Sequence, residues 1–296
     1  MSNTATKKPR MLFGAFLRKY GRILIGGTIL AVIFFFVLGA DFLDMGYDPA
    51  AFDPSFADAA IKPNSEHIMG TDQYGRDIWS RILHGGQPTL LVAIGAQVIL
   101  TCLGTVVGLI CGYYNRVERI VMRVLEAFSK IPNMLLTMLV LSLFRFSAEK
   151  SLLENVLPMM LSMSIHGVPG LARMIRNQVL SLREKEYIES EEAMGAGDLR
   201  TMFIHILPAC SSYLLVRFSN GLSGMVLSMA SLSFLGLGLP LSIPTWGFMV
   251  SDTKEVIYSP DHFYIFMWPT LVISITVFGF AMLGDGLRDL LDPRLK

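Results

Sequence analysis

Long stretches of this chain carry no charged side chain, and that fixes the solvent in which it can fold. Pro88 to Asn115 runs for 28 residues without a charge, Phe263 to Gly284 for 22, and Ile23 to Ala40 for 18. About 20 apolar residues in a helix cross a hydrocarbon core of about 30 Å. No water is available there to satisfy backbone N–H and C=O groups, so such runs are read as α-helices. A hydrophobic content of 52%, only 17% charged residues and a mean hydropathy of +0.51 agree. The chain is expected to be an all-α membrane protein.

Six spans are expected. The first is residues 23–40, preceded by a basic segment, 1–22, that holds six Lys and Arg and no acid. The length of that basic region and the lack of a small-x-small site before residue 40 argue for a retained helix, not a cleaved signal. Residues 41–87 form a polar loop with eight acids, in which Phe52-Asp53-Pro54 and Lys62-Pro63-Asn64 read as irregular. Residues 88–296 then form a five-helix core. Its spans are Pro88–Asn115, a segment starting near Val121 and bent at Pro132, Asn155–Ala172, Pro208 to about Leu239, and Phe263–Gly284. In the bent one, Glu126 and Lys130 are spaced to pair. With the N-terminus inside, the inner segments hold 18 Lys and Arg and the outer ones 6. The excess of positive charge inside predicts cytoplasmic N- and C-termini.

Between the fourth and fifth spans lies the longest polar interruption of the C-terminal half, residues 184–208. Helix formers from Glu184 to Met194 stop at Gly195. Ala196 and Gly197 turn the chain, and Asp198 is placed to cap a second helix. On that helix Leu199, Met202, Phe203 and Ile206 fall at i, i+3, i+4 and i+7 and predict one apolar face, ended by Pro208. Topology puts this helix–turn–helix in the cytoplasm.

Catalytic signatures are missing. No GxxxxGK[ST] occurs, so no phosphate-cradling loop is expected and the chain is not an ATPase or other enzyme on its own. The five histidines are scattered, and the three cysteines (Cys102, Cys111, Cys210) lie in apolar surroundings without CxxC spacing. No metal and no cofactor is assigned to this chain. A net charge of +1 gives no field that favours nucleic acid.

The loop at 184–208 resembles the EAA loop of bacterial ABC importer permeases through Glu189, Gly195, Ile206, Leu207 and Pro208. Ser190 and Glu191 stand where the family places its two alanines. His67 to Leu91 resembles the outer-loop signature of the dipeptide, oligopeptide and nickel permeases, with Gly70, Thr71, Asp72, Gly75, Arg76, Asp77, Ser80, Arg81 and Gly85 in place. Asp77 to His84 reads as an amphipathic helix at the outer interface, whose charges either lock the loop or meet a delivering protein. The segments 233–238, 244–247 and 283–294 are similar to C-type permease subunits of peptide importers, as is the final Asp-Pro-Arg-Leu.

That resemblance, over residues 20–296, implies a type I ABC importer permease fold with a cytoplasmic coupling helix, in a bacterial inner membrane. It implies a homologous B-type permease as partner, two ATP-binding subunits carrying ATP and Mg, and an extracytoplasmic solute-binding protein. The ATPase-docking residues it points to are Glu189, Ala193, Gly195, Ala196, Asp198, Leu199, Phe203, Ile206 and Pro208. Short peptides are the expected cargo; nickel chelates, glutathione-like peptides and oligosaccharides are the alternatives. An ATP-independent secondary transporter is the reading from another class. Against it stand the docking loop and the lack of acidic relays in the spans.

Arg217 is the one charge deep in an expected span, about 13 Å past Pro208. Such a residue faces a cavity or a counter-ion. It either lines a translocation path that favours anionic groups, or pairs with the partner permease or snorkels. Asn220, Ser223 and Ser228 on the same span are further path candidates, with helix packing as their alternative role.

Overall fold

The computed structural model describes residues 9–50, 60–240, 242–255 and 258–291. The expected irregular loop at Phe52–Pro54 and the final Asp-Pro-Arg-Leu lie outside the described residues. Eleven helices succeed one another among them: α1 Pro9–Leu38, α2 Ala40–Leu43, α3 Ile78–Tyr113, α4 Asn115–Ser129, α5 Asn133–Ser142, α6 Leu152–Arg183, α7 Glu186–Ala193, α8 Asp198–Arg200, α9 Leu207–Phe234, α10 Trp246–Asp252 and α11 Phe263–Leu291. No strand forms among the described residues; a single bridge joins Thr71 and Asp77. The protein is an all-α, multi-pass membrane protein.

Among the described residues, four helices are long and apolar enough to cross a membrane: Tyr20–Leu38, Ile78–Tyr113, Asp198–Phe234 and Pro260–Leu291. Counting the bent pair α4 and α5 as one crossing makes five. The remaining expected span, α6, is long enough at 32 residues, but Asn155, Ser162, Ser164 and His166 dilute its apolar content.

α3 and α6 pack side by side in the same direction, because small residues on one meet large ones on the other in step. A methyl group added to Gly104 would strike Leu171, one on Gly108 would strike Ile175, and one on Gly112 would strike Val179. Each step advances four residues on both helices, the spacing that keeps one helix face in register. Small residues at such a seam let backbones approach closely, which is where packing energy arises in lipid. Leu109, Leu171, Ile175 and Val179 are accordingly buried. A parallel pair obliges the intervening chain to travel back along its length, and residues 114–151 do so.

That return is more sharply broken than the expected bend: the chain breaks at Pro132 as anticipated, and the amphipathic α4 meets α5 there at 95°. Pro132 forces the preceding residue out of the helical region, which ends α4. Glu126 lies 3.8 Å from Arg173 of α6, in place of the expected pairing with Lys130.

The rest of the bundle closes around α9 and α11. α1 runs antiparallel to α11: Gly26 abuts the backbone at Gly279 and Leu283, Gly286 abuts Ile23, and Arg22 pairs with Asp289 at 2.7 Å. At the end away from residue 184, α10 tucks Trp246, wholly buried, against α3; its indole N–H donates to the Ile82 carbonyl at 2.8 Å.

Gly108→Val should lower the midpoint of thermal unfolding in detergent, because the methyl groups have only the Ala172 carbonyl and Ile175 to displace. Overpacking of this kind costs about 1–3 kcal/mol. Gly27→Ala, with nothing within 4 Å, should leave the midpoint in place.

Candidate functional site

Two arrangements stand out, an exposed elbow at residues 184–208 and a cavity in the bundle, and one helical body connects them. In the elbow, α7 is anchored by Ile188, which is fully buried with Met202 and Ile206. The helix ends at Gly195, whose φ of +87 is the left-handed conformation that glycine adopts without strain. The Ala196 N–H closes the turn onto the Glu191 carbonyl at 3.1 Å. Glu191, the departure from the family alanine, reaches across the elbow to lie 3.7 Å from the His205 ring.

Asp198 is not the expected N-cap. Gly197 takes that position, with φ −75 and ψ 151, and Asp198 begins the helix. Its carboxylate accepts instead from the Tyr114 hydroxyl at 2.9 Å and the Tyr113 hydroxyl at 3.3 Å, where α3 ends. The bond holds the Tyr114 phenol above its usual value of 10.0. Arg183 completes the junction, donating to the Tyr113 carbonyl at 2.9 Å with its guanidinium over the ring.

The single apolar face expected from Leu199, Met202, Phe203 and Ile206 is split. Residues Thr201–Ile206 form a π-helical turn, which widens the helix by one residue per turn. Pro208 is the physical cause in the sequence: it has no N–H to give the preceding turn and its ring crowds that turn's carbonyl. With the register shifted, Met202 and Ile206 are buried, while Leu199 is 67% and Ile204 60% exposed, with Phe203 beside them. Tyr187 and Met194 add to this open apolar surface, and Glu189, Ala193 and Pro208 are exposed along it. The elbow thus presents large apolar side chains where a lone bundle has no use for them.

From Asp198 the helix continues without interruption to Phe234. Arg217, Asn220 and Ser228 on this body line a cavity of about 540 Å³, together with Gln97 of α3, Asn133 and Thr137 of α5, and His166 of α6. Ser223 is not on the lining; its hydroxyl donates to the Asn220 carbonyl at 2.8 Å. No acid lines the cavity, and Arg217 has no ion pair among the described residues. Gln97, Asn133, Thr137 and His166 carry no motif; only the fold brings them together. Among the described residues no three His, Cys, Asp or Glu side chains gather as a metal site.

The outer-loop signature folds onto itself. Gly70 and Gly75 have φ of +79 and +75. Asp72 accepts from the Tyr74 and Arg76 N–H groups and from the Arg76 side chain at 2.7 Å, and Arg76 extends to Asp252 of α10 at 2.6 Å. Burial pushes the Asp252 carboxyl up, against the pull of Arg76. Asp77 caps α3 through the Ser80 N–H and bonds His67. The expected interfacial helix over Asp77–His84 is therefore the first two turns of α3, and the charges of this loop lock it to α10.

With the geometry in place, comparison with known proteins decides the family. The family described as binding-protein-dependent transport system inner membrane component matches residues 104–296. The chain belongs to that family. A dipeptide transport system permease protein of Alkalihalophilus pseudofirmus is 34% identical over 279 residues, 94% of this chain and 88% of that one. A putative peptide transport system permease protein of Brucella abortus is 32% identical over 295 residues, covering 98% and 94%. A glutathione transport system permease protein of Pectobacterium atrosepticum is 39% identical over 235 residues, covering 79% and 75%. As a membrane component of such a system, the chain is a transport subunit and not an enzyme.

Tyr114→Phe should loosen the elbow, read as faster amide hydrogen exchange at residues 195–200. The phenol binds its proton more tightly in the folded state, so this contact is intact below pH 10 and is lost as pH rises through the raised folded value. In the wild type, exchange at 195–200, corrected for its intrinsic pH dependence, should accelerate only above that point; in the variant that rise should shrink, with only the longer Tyr113 contact to Asp198 left to lose.

Proposed function

We propose that this chain is one half of the membrane domain of an ATP-driven importer for short peptides in a bacterial cytoplasmic membrane. It crosses six times, with both termini in the cytoplasm, and encloses a path with a homologous permease. Of two ATP-binding subunits, which carry ATP and Mg, one docks on Glu189, Ala193, Gly195, Ala196, Asp198, Leu199, Phe203 and Pro208, with Ile206 buried behind that surface, and the other on the homologous permease. An extracytoplasmic binding protein delivers cargo at the other end. The observation that carries this reading is the unbroken helix from Asp198 to Phe234: it begins as the exposed elbow and continues as the cavity wall. A push on one is a displacement of the other. The parallel packing of α3 and α6 supports the count of six, since it requires a return crossing between them.

Mechanically, nucleotide-driven closure below the membrane would move the elbow, and α9 would carry that motion to the cavity. Arg217, Asn220 and Ser228 form the polar part of the path on this helix. The unpaired guanidinium of Arg217 suits a carboxylate, which it can hold by two parallel hydrogen bonds. Peptides named for two relatives have such a group, and so does glutathione, named for the third; glutathione-like peptides are therefore the second reading.

Affinity purification of the tagged chain from native membranes should recover a second permease and ATP-binding subunits. Gly195→Val should weaken recovery of the ATP-binding subunits while the second permease remains, because a left-handed backbone there costs a side chain about 1–2 kcal/mol and distorts the elbow. Isolation of the chain alone, moving solute in vesicles without ATP, would establish a secondary transporter instead.

Arg217→Gln should lower uptake of peptides with a free C-terminal carboxylate at least several-fold and leave C-terminally amidated peptides unchanged, measured in reconstituted vesicles. Equal effects on both would remove Arg217 from cargo recognition.

A further inference from the structure

The break at Pro132 leaves α4 as a helix with three distinct sectors, and only one of them faces protein. At 100° per residue, Glu118, Met122 and Glu126 form the inner sector. Met122 is buried, Glu118 accepts from Arg176 at 2.5 Å, and Glu126 lies 3.8 Å from Arg173. The next sector holds Arg116, Arg119 and Arg123, all exposed, with no acid within 4 Å among the described residues. The third holds Val117, Ile120, Val124 and Phe128, with Ile120 69% exposed and Val124 49%. Both acids of the helix are thus consumed by α6, and its three arginines are left to the outside.

The attitude of α4 matches this division. From Glu118 to Glu126 the helix advances about 12 Å, yet their partners Arg176 and Arg173 are only about 4.5 Å apart along α6. α4 therefore crosses α6 steeply, and it meets α5 at 95°. With α6 spanning the bilayer, α4 lies close to the membrane plane. Its start at Asn115 adjoins Tyr114, which bonds Asp198 of the elbow.

We propose that α4 is a lipid-bound helix in the headgroup layer on the elbow side, with anionic phospholipid head groups on Arg116, Arg119 and Arg123 and with Val117, Ile120, Val124 and Phe128 in the acyl chains. A helix lying in the interface has one apolar side and basic flanks of this kind. Phosphate oxygens accept the forked guanidinium in hydrated surroundings. A protein covering the same face would have to bury three cations and supply three acids for them. The inference depends on the membrane orientation proposed above and not on the cargo or on what docks at the elbow.

The test is amide hydrogen exchange, read by mass spectrometry, on the full chain with the subunits that co-purify, in nanodiscs of phosphatidylcholine alone or with about a third phosphatidylglycerol. Each basic residue near an anionic surface raises its binding about fivefold, so amides of residues 115–129 should exchange at least about fivefold more slowly with phosphatidylglycerol. R116Q/R119Q/R123Q should abolish that difference, and the corresponding lysine variant should retain most of it. Equal exchange in the two lipids overturns the proposal, as does full protection of 115–129 in detergent without added lipid, which would mean that protein covers the face. If the glutamine variant does not accumulate, the wild-type comparison between the two lipids decides the question by itself.

Discussion

Everything in this bundle hangs on the parallel seam between α3 and α6. Burying oil against oil earns little in a membrane, so the helices must be held by closeness of approach, and Gly104, Gly108 and Gly112 supply it against Leu171, Ile175 and Val179. The seam then dictates the chain path. Two neighbours pointing the same way need a third segment running back, and the constraint is met with a short helix, α5, whose ten residues span only about 15 Å. It also sets the cavity, because α3 and α6 provide one wall of it and α5 another.

The second organising element is the length of α9 and its lead-in. A proline at the entry to a membrane helix is usually a stop. Here the π-helical turn absorbs Pro208, so the helix passes from elbow to cavity as one body. The same turn rotates Leu199, Phe203 and Ile204 outward and leaves Met202 and Ile206 inside. One backbone irregularity thus accounts for both the rigidity of the connection and the apolar surface at its end. The outer loop plays the opposite part: its aspartates and arginines are spent on each other and on α10, so it is a fixed corner.

Much of this was legible in the residues. Uncharged runs announced the membrane helices, Gly195 announced the elbow, and three separated motifs identified the family. What escaped shares a common cause, namely that tertiary partners are invisible in a linear pattern. Asp198 had the chemistry of a cap, but two tyrosine hydroxyls 84 and 85 residues away took its carboxylate. The face read from i, i+3, i+4 spacing assumed 3.6 residues per turn, and the π turn broke that period. Asp77 to His84 looked like a surface helix because its charges were counted as solvated, whereas Arg81 is buried between Asp72 and Asp252. Glu126 found Arg173 in place of Lys130 because α4 lies across α6. Of the cavity, Arg217 could be singled out as a lone deep charge, but Gln97, Asn133, Thr137 and His166 come from three other helices and share no spacing.

The parallel seam also has a consequence for biosynthesis. Adjacent antiparallel helices can pair as soon as the second leaves the ribosome, but Gly104 must wait for Leu171, 67 residues later. At roughly 5–20 residues per second of synthesis, the small-residue face of α3 stands without its mate for about 3–13 s. During that interval the face is a sticky strip open to any neighbouring helix, and the return of the chain through α5 is the clock that ends it.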